Sequence, residues 1–534
     1  MDTIIKNAKI YVESGRFESA MLIRDGYIIA VGDIGEIEAL AGQHKVIDAE
    51  GRTIVPGFID SHMHLYNVGV SLRCVRLHGV SSVAECIELG RRFIEENKPA
   101  PGSVILGRGW NDDYFTDKHR MLNRHDLDRI SEEYPIIYTR ACGHALAANT
   151  AAIKLAGITA DTPKVEGGEF ELGDDGQPNG VFKENAMAYI QAILKTPDLD
   201  ETKEILKTAM AHASSRGITS VQTNDMNEAN YKLIWQAYQE LADSGESTVR
   251  AYQQCLFSTP EGYARFISEG FKTGSGSDMN RVGPLKLLID GSLGARTSLM
   301  RQDFNDMPGT RGILCVTPEN LERFIEISVK NNMQVVIHAI GDRGIEIVLD
   351  VYQKMLPPHD NPLRWGVVHC QITDLPLLRR FAENHICALV QPVFLHYDMH
   401  IVADRVGEKL AATSYAFGTM DRLGIHNSYG SDAPVEDLDP MNNIYCAVTR
   451  RDLSGYPDGG WNPGECVSVE KAIDHYTIDG AFNSFEETKK GRLLPGYMAD
   501  LVMLDHDIFS CDPMLIKEIS PVMTMISGRI VFKA

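Results

Sequence analysis

Apolar residues recur along this chain with two different periods, and the changes of period mark its elements. Near the start, Thr3-Ile4-Ile5-Lys6-Asn7-Ala8-Lys9-Ile10 and Ala20-Met21-Leu22-Ile23 are short strand-like runs, followed by the turn signal Arg24-Asp25-Gly26. The far end repeats the pattern in Ala499-Asp500-Leu501-Val502-Met503-Leu504 and Val522-Met523-Thr524-Met525-Ile526, then Ser527-Gly528-Arg529 before Ile530-Val531-Phe532. The likeness of the two ends predicts one small β domain, formed by residues 1–54 and 488–534.

Between the ends, strand-length apolar runs alternate with helical spacing. Ile205, Leu206, Ala209, Met210 and Ala213, for instance, precede Gly217-Ile218-Thr219-Ser220-Val221. Such alternation implies parallel βα units. The candidate strands are Val55 to His62, Ile218 to Thr223, Val249 to Leu256, Leu285 to Asp290, Gln334 to His338, Arg364 to His369, Ile386 to Gln391, and His426 to Asp432. Eight strands suffice to close a barrel, so residues 55–64 and 197–487 are expected to form one. Residues 65–196 fall outside the count. They carry two further strand-like runs, Val104-Ile105-Leu106-Gly107 and Ile136-Ile137-Tyr138-Thr139, and a polar hairpin-like segment around Gly167 to Gly180. An insertion after the first strand is expected at the C-terminal mouth of the barrel, where it would serve as a lid or substrate wall.

Composition narrows the function classes. A chain of 534 residues exceeds what one core usually fills. Its 73 acidic against 52 basic side chains, net -21, contain no basic patch, which argues against nucleic acid and anionic lipid as partners. No stretch approaches the roughly 20 apolar residues that span a bilayer. The ten cysteines include no C-x-x-C pair and read as reduced core residues. A cytoplasmic protein acting on a small molecule is the expectation, with a homodimer as the expected assembly.

Candidate chemistry gathers at strand ends. In Asp60-Ser61-His62-Met63-His64 the two imidazoles are two residues apart, on one face of an extended chain, a spacing suited to one metal. Val335-Val336-Ile337-His338 and Gly366-Val367-Val368-His369 each finish an apolar strand with histidine, and Tyr429-Gly430-Ser431-Asp432 finishes another with a carboxylate. Lys286 lies within an otherwise apolar strand, where an ammonium must pair, lose its proton or be chemically modified. A salt bridge to Asp290 is the simplest alternative. His396 and His400, four apart in polar surroundings, read as a solvated face.

Together these residues resemble the metal-dependent amidohydrolase superfamily, in the amidohydrolase family 3 branch that contains N-substituted formamide deformylase. The resemblance spans essentially the whole chain. It is carried by Pro56-Gly57-Phe58-Ile59-Asp60-Ser61-His62-Met63-His64, by Lys286 with Asp290-Gly291-Ser292-Leu293-Gly294-Ala295-Arg296-Thr297, and by His338-Ala339-Ile340-Gly341-Asp342-Arg343. His369, Gly430-Ser431-Asp432-Ala433-Pro434 and the closing Gly491-Arg492-Leu493-Leu494-Pro495-Gly496 complete it. It implies an α/β fold: a distorted (β/α)8 TIM barrel with a small β-sandwich domain from both termini and an α+β insertion after the first barrel strand. It also implies one or two divalent metals, usually Zn2+. His62, His64 and Asp432 would hold one, His338 and His369 the other, and Lys286, carboxylated by CO2, would bridge them. His144 resembles a position near the substrate, and Trp110, Asp112 and Arg296 are further candidates to line the pocket or to stabilise loops.

The implied activity is hydrolysis of a non-peptide C–N bond, in an amide, formamide, carbamate or cyclic amide. The nucleophile would be hydroxide from a water acidified by the metal, and Asp432 would be general base and acid. A one-metal deaminase of a nitrogenous ring and a non-catalytic assembly protein on the same fold are the alternatives. The lysine argues against the first, and the intact ligand set argues against the second.

Overall fold

All eight expected runs become strands of one parallel sheet in the computed structural model, which describes residues 1–77, 79–140, 145–165, 168–194 and 196–534. They are β1 (Phe58–Met63), β2 (Ile218–Asn227), β3 (Arg250–Leu256), β4 (Asn280–Leu288), β5 (Val335–Ala339), β6 (Gly366–His369), β7 (Cys387–Val390) and β8 (Asn427–Tyr429). Each is hydrogen-bonded to its neighbour in chain order. Near-continuous apolar runs suit parallel strands, which are covered on both faces; β6 and β7 are buried along their whole length. The returning helices begin where a polar cap and a proline coincide. Thr259, Thr317 and Asp374 accept the N–H of Gly262, Asn320 and Leu377, each with proline at the helix start.

β1 and β8 stand at the two ends of the strand order, and the seam between them closes just beyond the strand ends. The His62 carbonyl accepts the Asp432 N–H at 2.8 Å, and the His64 N–H donates to the Ala433 carbonyl at 2.8 Å. The buried Asp60 carboxylate fills the joint. It accepts the Ser431 hydroxyl at 2.6 Å, the Ser431 N–H at 3.1 Å and the His62 N–H at 3.1 Å. Gly430 permits this approach, because a Cβ there would lie 2.6 Å from the His62 nitrogen and 2.9 Å from an Asp60 oxygen.

The run from Val55 to His62, expected as one barrel strand, divides at Gly57. Thr53–Pro56 joins a terminal sheet and β1 starts at Phe58. The Gly57 N–H donates to the Asp500 carbonyl at 3.0 Å, so uninterrupted apolar character here serves two sheets in turn.

The chain forms two compact units, residues 1–67 with 206–534 and residues 68–205. The first contains the barrel and the terminal strands. Its six-stranded terminal sheet runs Arg529–Lys533, Pro521–Ile526, Leu501–Leu504, Thr53–Pro56, Lys9–Glu13, Arg16–Glu18, so strands from both chain ends pair directly. A four-stranded sheet of Tyr27–Gly32, Ala20–Arg24, Asp2–Lys6 and His44–Asp48 completes the sandwich. Ile5, Ile10, Met21, Ile23, Ile54, Leu501, Met503 and Met525 share its core. Arg250 of β3 reaches Asp500 in a buried bidentate pair at 2.7 and 3.0 Å, tying sandwich to barrel.

The second unit is an α+β body around a six-stranded sheet: Gly168–Leu172, Pro178–Glu184, Ala145–Ala148, Ile136–Arg140, Ile105–Trp110 and Val75–Arg76. Both strand-like runs expected here are present, and the polar segment is a hairpin. Two apolar clusters serve it, one around Val83, Ile87, Ile136 and Tyr138, the other around Ile137, Leu146, Ile153 and Phe182. Among the described residues no helix is long and apolar enough to cross a membrane.

Candidate metal centre

Parallel barrel strands deliver their C-terminal residues to one mouth, and here those residues are the ligand types. β1 carries His62 as its penultimate residue with His64 just beyond, β5 carries His338, β6 ends in His369, and Asp432 follows β8. The four imidazoles form a continuous row. Ring centroids are 5.5 Å apart for His64 and His62, 5.4 Å for His62 and His369, and 4.4 Å for His369 and His338. One donor atom each from His62, His64 and Asp432 lies within 4.8 Å of the others.

Lys286 of β4 is buried, 2% exposed. The alternative partner, Asp290, is committed elsewhere: its carboxylate accepts the N–H groups of Leu299 at 2.8 Å, Ile340 at 3.0 Å and Gly341 at 2.8 Å. Burial therefore lowers the Lys286 pKa to about 7, with the Asp432 carboxylate opposing. Burial, helped by the charge of Lys286, also pushes His62 and His369 well below the usual imidazole range and His338 down to about 3. His64 goes the other way: burial disfavours its charge, but Asp432 outweighs burial and raises its pKa. The charge of Lys286 opposes protonation of all four imidazoles.

The donor set fits a divalent cation. Nε2 of His62 and Nε2 of His64 each stand 3.4 Å from the same oxygen, Oδ1 of Asp432. That oxygen is buried and has no hydrogen-bond partner. The other ring nitrogens are occupied, Nδ1 of His62 by the Gln254 amide oxygen at 2.7 Å and Nδ1 of His64 by the Asn224 carbonyl at 3.1 Å. Two imidazole nitrogens and a bare carboxylate oxygen thus converge without satisfying one another, an arrangement costly unless a cation lies among them. His338 uses Nε2 on the Gly291 carbonyl at 3.1 Å, leaving Nδ1 free, and His369 uses Nδ1 on Gln391, leaving Nε2 free.

The six expected ligand residues thus lie on strands or loops of one barrel mouth. The other expected residues have partners of their own wherever the structure describes them. Arg296, in the loop after β4, is held by the Asp306 carboxylate at 3.1 and 2.7 Å, a pairing that stabilises the loop. In the second unit, Trp110 is 1% exposed and donates its indole N–H to the Tyr138 carbonyl at 3.1 Å. That packing makes it part of the core of the second unit. Asp112 accepts Arg140 at 2.7 Å. His144 lies outside the described residues. His396 and His400 each pair with their own acid, Glu436 at 3.1 Å and Asp452 at 3.0 Å. Sequence reasoning missed Asp60, Asn224, Gln254 and Gln391. Gln254 follows another glutamine within β3 and Gln391 stands just after β7, so no spacing in the sequence singles them out.

A family profile described as "Amidohydrolase family" matches residues 45–532. Among curated proteins, YtcJ of Bacillus subtilis (strain 168) is 30% identical over 525 residues, covering 98% of this chain and 97% of that protein. N-substituted formamide deformylase of Arthrobacter pascens is 26% identical over 545 residues, covering 99% and 97%. Among solved structures, an uncharacterized metal-dependent hydrolase from Pyrococcus horikoshii OT3 superposes with TM-score 0.78 at 26% identity, over 96% of this chain and 99% of that one.

Proposed function

Since the chain belongs to the amidohydrolase family, we propose that it hydrolyses a non-peptide C–N bond at a two-cation site, with N-formyl and N-acyl amides as the first substrate class. The observation that carries this reading is the row of four imidazoles at the barrel mouth, with the unpartnered Oδ1 of Asp432 at one end and a buried lysine, Lys286, on β4. The name of the Arthrobacter pascens relative supports placing N-substituted formamides at the head of the substrates to try.

Divalent cations, Zn2+ foremost for imidazole and carboxylate donors, would be held by His62, His64 and Asp432 and by His338 and His369, and would supply Lewis acidity and a more acidic water. Lys286 would bridge the two cations if carboxylated. A neutral amine there can attack CO2, forming a new N–C bond and releasing one proton, and the resulting carbamate replaces a buried cation by an anion with two oxygens. Asp432 then moves the proton of the reaction. As the water oxygen bonds to the substrate carbonyl carbon, the carboxylate takes the water proton; as the C–N bond breaks, it returns that proton to the leaving nitrogen. Lys286 also weighs against the one-metal deaminase, which has no use for a buried amine beside its ligands.

The test is to load the purified protein with Zn2+ in bicarbonate buffer, count metal per chain by mass spectrometry, and assay N-formyl, N-acyl, carbamoyl and lactone substrates. Two cations per chain and release of amine from an N-formyl or N-acyl substrate are expected. One cation per chain with ammonia released from an aminated ring would replace this reading by the deaminase.

A further inference from the structure

In every imidazole of the row, one ring nitrogen meets a neutral oxygen. For His64 and His338 it is a backbone carbonyl, of Asn224 and Gly291. For His62 and His369 it is a side chain: Gln254 Oε1 at 2.7 Å and Gln391 Oε1 at 2.7 Å. Both glutamines are buried, one on β3 and one immediately after β7. Burying an amide in an apolar strand is unfavourable unless all its hydrogen-bonding groups are used.

The two amides are oriented in the same way. Gln254 donates its N–H to the Ser61 carbonyl at 3.0 Å, and Gln391 donates to the Leu389 carbonyl at 3.2 Å. With each nitrogen committed to a carbonyl, the amide oxygen faces the ring, and an oxygen at 2.7 Å requires the hydrogen to sit on Nδ1. The lone pair is then on Nε2 in both rings. The Gln254 clamp is braced further, since the Asn224 side chain donates to the Gln254 backbone carbonyl at 2.9 Å while the Asn224 carbonyl receives His64.

We propose that Gln254 and Gln391 are positioning residues that fix His62 and His369 as Nδ1–H tautomers, so that each presents an Nε2 lone pair to a cation. The inference rests on the metal-hydrolase reading above and extends it to two residues that touch neither substrate nor cation. Partners of this kind raise cation affinity by removing the wrong tautomer and the wrong ring rotation before binding.

Affinity of the full-length protein for Zn2+ alone, read by competition with a chromophoric chelator and with fold checked by circular dichroism, tests this without any substrate. Gln254→Leu and Gln391→Leu remove the acceptor and are expected to weaken Zn2+ binding roughly 10- to 100-fold each. Gln254→Glu and Gln391→Glu keep an oxygen toward the ring and are expected to restore at least wild-type affinity. If a leucine variant does not fold, the asparagine variant at that position, which keeps the amide but shortens its reach, takes its place with the same expected loss. Leucine variants that bind like the wild type, or folded glutamate variants as weak as leucine, overturn the assignment alone. A wild-type protein that binds no Zn2+ overturns both this assignment and the reading beneath it.

Discussion

His62 and His64 show how far single residues can be read from sequence. Two imidazoles at an even spacing in an extended chain must share a face, and the structure brings both within 3.4 Å of one Asp432 oxygen. Lys286 was legible for a different reason, because an amine in an apolar strand is expensive wherever it points. Gln254 and Gln391 were not legible. An amide costs less to bury than a charge and follows no spacing rule, so only the distance to a ring reveals its task. Arg296 and Asp112 each engage a charged partner of their own, Asp306 and Arg140, that no spacing in the sequence announced. The assignment of proton transfer belongs to this scale. Asp432→Asn keeps an oxygen near both rings but cannot hold the proton. Its kcat is expected to fall by roughly 10²- to 10⁴-fold, while metal analysis shows most of the cation retained; a variant with wild-type turnover would remove Asp432 from the proposed role.

Elements were readable wherever one environment persisted through a run. Strands β5, β6 and β7 match their apolar segments almost residue for residue, since a parallel strand is covered on both faces throughout. The stretch ending in β1 was misread as continuous, because burial against the sandwich and burial in the barrel look alike in composition. Only the bend at Gly57, where a Cβ would approach Thr219 to 2.3 Å, separates the two. The β1–β8 seam was likewise invisible in sequence, because its bonds pair the end of β1 with backbone that lies beyond β8. Gly430→Ala tests its tolerance. The added carbon meets the His62 nitrogen and the Asp60 carboxylate, and a loss of about 1–3 kcal/mol in stability is expected, read as a lower melting temperature together with weaker cation binding. An unchanged melting curve would mean that the seam yields at no cost.

Across the whole molecule, charge matters more for pH response than for fold. His475 is buried between Asp479 at 2.6 Å and Asp421 at 2.9 Å. Burial alone would lower its pKa, but the two carboxylates prevail and raise it from 6.5 to about 9. A group whose pKa is raised by folding stabilises most fully below its unfolded value. The contribution of His475 is therefore complete below pH 6.5 and disappears as pH climbs through about 9. It amounts to about 3 kcal/mol at most. Melting temperatures of the wild type and His475→Gln, followed from pH 6.5 to above 9, should converge as alkalinity increases. A constant gap across that window would show that the imidazolium is not what stabilises this corner.

The backbone bonds that join first strand to last are made by His62, His64, Asp432 and Ala433, three of which are also the proposed cation donors. Zipping the cylinder shut and assembling its reactive pocket are consequently one event. A nascent chain that has not yet emerged past Asp432 has neither, however well its earlier staves have docked. A cation held as proposed by His62, His64 and Asp432 would act as a rivet across the join, so mass action on that metal would also be mass action on the integrity of the fold.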